Sequence, residues 1–160
     1  MTLDLIHELL AQVPDPEVPA INIMELGIVR NVELINQTFT ITITPTYTGC
    51  PAMKVIEDDI NKLMQQHAIS NYKIITVLNP AWTTDWITET GRNKLLAYGI
   101  APPITTTANK KILLGETPVI ACPQCKSVNT NLVSQFGSTA CKALWKCNNC
   151  LETFDYFKCL

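Results

Sequence analysis

Two short stretches decide how the chain reads: Ala121-Cys122-Pro123-Gln124-Cys125 and Lys146-Cys147-Asn148-Asn149-Cys150, with 21 residues between Cys125 and Cys147. Two residues between paired cysteines let a tight turn aim two thiolates at one cation, and two such knuckles complete a tetrahedron. The gap slightly exceeds the roughly 15–20 residues usual for such sites, which a longer β-hairpin absorbs. Asn131 to Phe136 and Ala143 to Lys146 read as the hairpin strands, Gly137-Ser138 as the bend, and Phe154-Asp155-Tyr156-Phe157 as a final covering strand. A segment this small cannot build a good apolar core, so a bound metal supplies its folding energy. Four thiolates accept Zn²⁺ or iron. Closed four-ligand sites with this spacing are usually zinc ribbons, so a structural zinc on Cys122, Cys125, Cys147 and Cys150 is expected.

Six of the seven cysteines fall in the last 39 residues. Cys141 and Cys159 are left over from the quartet; inert core residues, a redox pair and alternative ligands all fit the pattern. Seven cysteines in 160 residues lie below the roughly 8–10% of a secreted disulfide scaffold. The opening MTLDLIHELL has no basic region, and Asp4, His7 and Glu8 interrupt its apolar stretch. It does not read as a signal peptide, and a reducing, cytoplasmic location is expected. No run approaches the ~18 consecutive apolar residues of a membrane span. At 47% apolar residues the chain has the composition of an ordinary globular protein.

Charge divides the chain as the cysteines do. Residues 1–116 carry 8 basic and 12 acidic side chains, whereas residues 117–160 carry four lysines against Glu152 and Asp155. Between them GIAPPITTTANKKILLGETP reads as a linker. Two domains are therefore expected, 1–116 and 117–160. The overall net charge of −2 supplies no field for a polyanion and no basic stripe is present, so a nucleic-acid partner is disfavoured.

The first part reads as an α+β layer fold. Leu5, Ile6, Leu9 and Leu10 recur at helical spacing, and Pro14-Asp15-Pro16 stops that helix. Ile28 to Leu34 reads as a strand and Asn36-Gln37 as a turn. Thr38 to Thr44 then alternates strictly, Phe39, Ile41 and Ile43 on one face and threonines on the other. Pro51 sits where a helix starts, with Met53, Ile56, Ile60, Leu63 and Met64 on one face. Tyr72 to Leu78 reads as a third strand, and Thr84 as the cap of a helix running to Tyr98. The order is α-β-β-α-β-α.

Cys50 precedes that Pro51 helix in Thr46-Tyr47-Thr48-Gly49-Cys50-Pro51. Free N–H groups and the positive dipole end suit an anionic sulfur there, and the small neighbours are expected to leave it accessible. A small buried hydrophobe at a tight loop fits the same pattern. Asp15 and Glu17 lie in the rigid loop Asp15-Pro16-Glu17-Val18-Pro19, where turn hydrogen bonding competes with any chemical role. His7 and His67 read as ordinary helix residues. No GxSxG, GxxxxGK[ST] or GxGxxG occurs, so serine hydrolase, P-loop and dinucleotide readings have no support.

Taken together, Asp15-Pro-Glu17-Val-Pro19, Glu25-Leu-Gly-Ile-Val-Arg30 and Thr46-Tyr-Thr-Gly-Cys50-Pro51 resemble the SufT-type domain of iron–sulfur assembly proteins. Pro80 to Pro103, CPQC, FGSTACKALWKC (136–147) and FDYFKC (154–159) narrow the resemblance to the PaaD (PaaJ) accessory proteins of the phenylacetyl-CoA epoxidase system. Leu160 departs from the histidine expected of that family. The resemblance implies a SufT-type domain followed by a zinc ribbon. It also implies a non-enzymatic task in aerobic phenylacetate degradation: helping assemble or deliver the iron–sulfur cluster of the epoxidase reductase subunit. Cys50 is then the reactive thiol, with Asp15 and Glu17 as further cluster-transfer candidates and a transient iron–sulfur cluster as cargo. The epoxidase components are the implied partners, and a homodimer is left open. The competing reading is an adaptor whose zinc ribbon docks a partner without cluster chemistry.

Overall fold

The computed structural model describes residues 2–104 and 118–158. The expected domain boundary at residue 116, and the leftover Cys159, lie outside the described residues. The chain forms two compact units, Met1–Trp82 and Thr83–Leu160.

In the first unit, α1 (Leu3–Leu10) is capped by Thr2, whose Oγ1 accepts from the Leu5 N–H, and it buries Ile6, Leu9 and Leu10. A long connection follows and is pinned by Val13, Val18, Ile21, Ile23 and Leu26, all buried. β1 (Val29–Ile35) and β2 (Thr38–Ile43) form an antiparallel hairpin. Its turn residues Asn36 and Gln37 have φ of 48° and 65°, the left-handed pair that matches strand twist in a two-residue hairpin. α2 (Ala52–Gln66) then crosses to β3 (Tyr72–Thr76), which lies parallel to β2, giving the order β1-β2-β3. Tyr72 Oη donates to Asn61 Oδ1 at 2.7 Å and Thr76 Oγ1 to Glu57 Oε1 at 3.0 Å, which seats α2 on the Tyr72/Ile74/Thr76 face.

The core of this unit is the alternating face of β2 against the apolar stripe of α2. Ile41, Ile43, Ile56, Ile60 and Met64 are all fully buried. Ile56→Ala is expected to cost about 2–5 kcal/mol, the range for opening a cavity in a packed core. Chemical denaturation should show it as a lower midpoint with an unchanged slope. The threonine face differs from its sequence reading. Thr40 and Thr44 are buried as well, because β2 is the central strand and Thr40 sits in register between Glu33 and Lys73.

The second unit begins with a single 3₁₀ turn (Thr84–Trp86) before α3 (Glu89–Ala97). The one helix expected from Thr84 to Tyr98 is thus interrupted. Thr83 Oγ1 accepts from Asp85 N and Thr88 Oγ1 from Gly91 N, so side-chain caps compete with a continuous helix in this threonine-rich stretch. Ile87 between them is extended. Arg92 ties the segment down by donating to the carbonyls of Pro103 at 2.6 Å and Thr84 at 2.7 Å.

β4 (Ile100–Ala101), β5 (Thr130–Ser134), β6 (Lys142–Cys147) and β7 (Thr153–Phe157) form a sheet in the order β4-β7-β6-β5. β4 runs parallel to β7, and the other pairings are antiparallel. One face gathers Trp145, Phe154 and Tyr156 with Ala101, Ile120 and the buried cysteines. Trp145 and Tyr156 meet edge to face with centroids 6.3 Å apart. Among the described residues, no helix is long and apolar enough to cross a membrane.

Candidate functional site

The two knuckles are built alike. In the first, the Cys122 N–H donates to the Ser127 carbonyl at 2.9 Å; in the second, the Cys147 N–H donates to the Glu152 carbonyl at 2.9 Å. Lys126 and Leu151, each directly after the second cysteine of its pair, adopt φ of 64° and 67°. That left-handed step turns the chain back under the thiols. Neither residue is a glycine, and no residue-type signal in the sequence marked these turns.

The four Sγ atoms of Cys122, Cys125, Cys147 and Cys150 lie within 4.8 Å of one another. Cys122 and Cys150 are 3.7 Å apart, and Cys125 and Cys147 are 3.5 Å apart. A tetrahedral ion with Zn–S bonds of ~2.3 Å needs sulfur–sulfur edges of about 3.8 Å. The quartet fits zinc, and all four donors come from two rigid turns. Cys122 and Cys147 are sealed in the core, while Cys125 faces solvent. Cys141 is buried too, but its Sγ lies 3.1 Å from Thr139 Oγ1 and it is not part of this quartet.

Electrostatics explain why the cluster asks for a cation. Backbone N–H donation from Cys150, and less strongly from Asn149, draws the Cys147 thiol down to about 6. Cys150 moves the other way, to about 12; its contact with the Glu152 backbone lowers it, but burial and the neighbouring sulfurs outweigh that. Four adjacent thiols cannot all ionise unless a positive ion screens them. Binding zinc therefore displaces protons. Zinc affinity is expected to fall as pH is lowered through the range where the ligands reprotonate, which a competition titration with a chromogenic chelator at several pH values measures.

The first unit holds the other candidates. Cys50 follows the loop after β2 and directly precedes the Pro51 N-cap of α2. Its N–H donates to the Tyr47 carbonyl at 3.2 Å, and its carbonyl accepts from Met53 N at 3.3 Å. Gly49 before it has φ +80°, and an added Cβ there would meet nothing within 4 Å. Backbone conformation, not space, demands the glycine. Cys50 keeps only 8% of its surface, so the sulfur is more enclosed than its small neighbours suggested. The loop folds back through the Tyr47–Cys50 bond and half-buries Thr46 and Tyr47.

Asp15 and Glu17 lie on the connection between α1 and β1. Asp15 is buried, and its Oδ1 accepts from Glu17 N at 3.0 Å and Val18 N at 2.7 Å. This carboxylate builds the turn that carries Glu17, which stays half-exposed. Further along, Asn22 Oδ1 accepts from Met24 N and Glu25 N while Glu25 Oε2 accepts from Asn22 N. This reciprocal pair was legible as an Asn-x-x-Glu capping pattern and was missed. Trp82 Nε1 donates to the Leu26 carbonyl at 3.0 Å, which fastens the end of the unit to the same connection.

Comparisons with known proteins follow the two-part layout. Residues 3–69 match the family described as "Iron-sulfur cluster assembly protein", and residues 106–158 match the "PaaD zinc beta ribbon domain". A protein of Escherichia coli (strain K12) named as a component of 1,2-phenylacetyl-CoA epoxidase is 45% identical over 158 residues, covering 97% of this chain and 93% of that one. The Fe-S protein maturation auxiliary factor YitW of Bacillus subtilis (strain 168) is 36% identical over 93 residues, 57% of this chain and 87% of its own. Among solved structures, a domain of unknown function DUF59 from Bacillus anthracis superposes with a TM-score of 0.53 at 27% identity, covering 57% of this chain and 89% of that one.

Proposed function

The chain belongs to the family of that Escherichia coli epoxidase component, and on this premise we propose that it is an accessory factor that helps assemble the iron–sulfur cluster of a phenylacetyl-CoA epoxidase system. One observation carries the reading. A single chain joins a unit related to Fe-S maturation factors to a PaaD-type ribbon, and the match to the epoxidase protein runs through both. In this reading the ribbon's zinc is structural and holds residues 118–158 in shape. The first unit handles the cargo, a transient iron–sulfur cluster, in the cytoplasm, and passes it to the reductase subunit. Cys50 is the transfer thiol, supported by its place before α2; Glu17 on the turn built by Asp15 is an auxiliary oxygen ligand. One thiol cannot complete a cluster's coordination, so the target or a second copy of the chain supplies the remaining ligands.

The test is the cluster content of the reductase component purified from cells with and without this chain. Iron and acid-labile sulfide should fall by more than half without it. Equal loading in both backgrounds overturns the reading. The 8% exposure of Cys50 favours a second reading, in which the chain docks partners through its ribbon and handles no cluster. Normal cluster loading with a loss of complex formation is the result that selects it.

The chain is also proposed to have no turnover of its own. Incubated with phenylacetyl-CoA, oxygen and a reductant, the zinc-loaded protein is expected to give no oxygenated product by mass spectrometry. Product above the protein-free blank would show that catalytic groups have been missed.

A further inference from the structure

β5 is the outer strand of the β4-β7-β6-β5 sheet, and among the described residues it pairs on one side only, with β6. Natural edges of this kind are commonly blunted by a bulge or by charged side chains. β5 has the bulge but not the charges. The register slips between Leu132 and Ser134, so Val133 has no partner on β6. Val133 is 52% exposed and Leu132 38%, while Val128 before the strand and Phe136 after it are 64% and 61% exposed. Four large apolar side chains standing in solvent within nine residues of one edge mark an interaction surface rather than scattered exposure.

The charge around this edge is of one sign. The sequence from Thr117 to Leu151 contains Lys126, Lys142 and Lys146 and no acidic residue. Lys142 is spent on Asp155, 3.9 Å away, and Lys126 Nζ donates to the Pro123 carbonyl. Lys146 remains exposed on β6 opposite Asn131 of β5. Lys158 places its Nζ 4.2 Å from the centre of the Phe136 ring. Two cations thus flank an apolar edge that carries no acid.

We infer that the free edge of β5 receives an extended, acidic segment of a partner protein with alternating apolar side chains, added as a fifth strand of the sheet. The unpaired N–H and C=O groups of the edge provide the ladder, the exposed valines, Leu132 and Phe136 take the apolar side chains, and Lys146 and Lys158 take the acids. A second copy of this chain is a poor occupant, because pairing two β5 edges brings lysines against lysines. The inference does not depend on what cargo the first unit handles.

The probe is a synthetic peptide, acetyl-Glu-Val-Asp-Val-Glu-Val-Asp-amide, titrated into the zinc-loaded, ¹⁵N-labelled full chain. Amide shifts are expected to concentrate between Val128 and Phe136, with slowed hydrogen exchange in β5. Val133→Glu and Lys146→Glu should each weaken binding about tenfold or more through like-charge repulsion. Both positions are exposed, so an unchanged zinc content and circular dichroism spectrum confirm that the variants are folded. A peptide N-methylated at alternate residues should lose binding, because it cannot form the ladder. Absence of shifts at about 1 mM peptide, equal binding of a lysine-for-acid peptide, or equal binding of the N-methylated peptide overturns the proposal. So does self-association of the chain through this edge in sedimentation.

Discussion

Replacing Cys147 by serine is expected to abolish zinc binding and unfold the ribbon while leaving the first unit folded. Cys147 is fully buried, receives backbone N–H donation that stabilises its thiolate, and sits 3.5 Å from Cys125 across the quartet. Serine offers a hydroxyl that does not ionise near neutral pH and is a poor zinc ligand. Even changes behind the ligands commonly cost ~10–100-fold in metal affinity, and losing a ligand costs more. In a small module metal-binding energy is folding energy, so the sheet should melt with the site. The measurement is zinc stoichiometry together with amide dispersion. Resonances of residues 118–158 should collapse, while those of β1, β2 and α2 persist. Cys141→Ser is the control, since Cys141 is equally buried but outside the quartet, and it should retain full zinc. A Cys147→Ser protein with normal zinc would show that the quartet is misassigned.

Cys50→Ser and Cys50→Ala are expected to leave the fold and the zinc intact, yet lower the cluster content of the epoxidase reductase made in the same cells by roughly tenfold, the scale on which support of a metal site acts. The two variants separate chemistry from packing. Cys50 is nearly enclosed, so serine places a hydroxyl in a tight site and can cost some stability, whereas alanine adds no polar group. If only the serine variant fails, the effect is packing. If both fail while thermal melts match the parent, the sulfur itself is needed. If both support full loading, Cys50 is a core residue and the cargo-handling reading loses its main support.

The sequence already held the elements with a local signature. The paired Cys-x-x-Cys knuckles located the metal quartet because ligand spacing is a property of the chain itself. The alternation from Phe39 to Ile43 and the apolar stripe from Met53 to Met64 located β2 and α2 because each element's period reports its own buried face. Asn36-Gln37 marked the hairpin turn in the same way. What stayed hidden depended on neighbours remote in sequence. β4 is two residues long and exists only because Ile100 and Ala101 pair with Asp155 and Tyr156 on β7. Thr40 looks outward by alternation, but strands on both sides bury it. The enclosure of Cys50 follows from how the loop after β2 folds back, and the exposed apolar edge of β5 from the place of that strand in the sheet order. Periodicity and motif spacing are set by bonded neighbours, so sequence alone determined the elements and the metal ligands. Burial is set by whatever packs against a residue through space, so tertiary structure alone decided which of those side chains meet solvent.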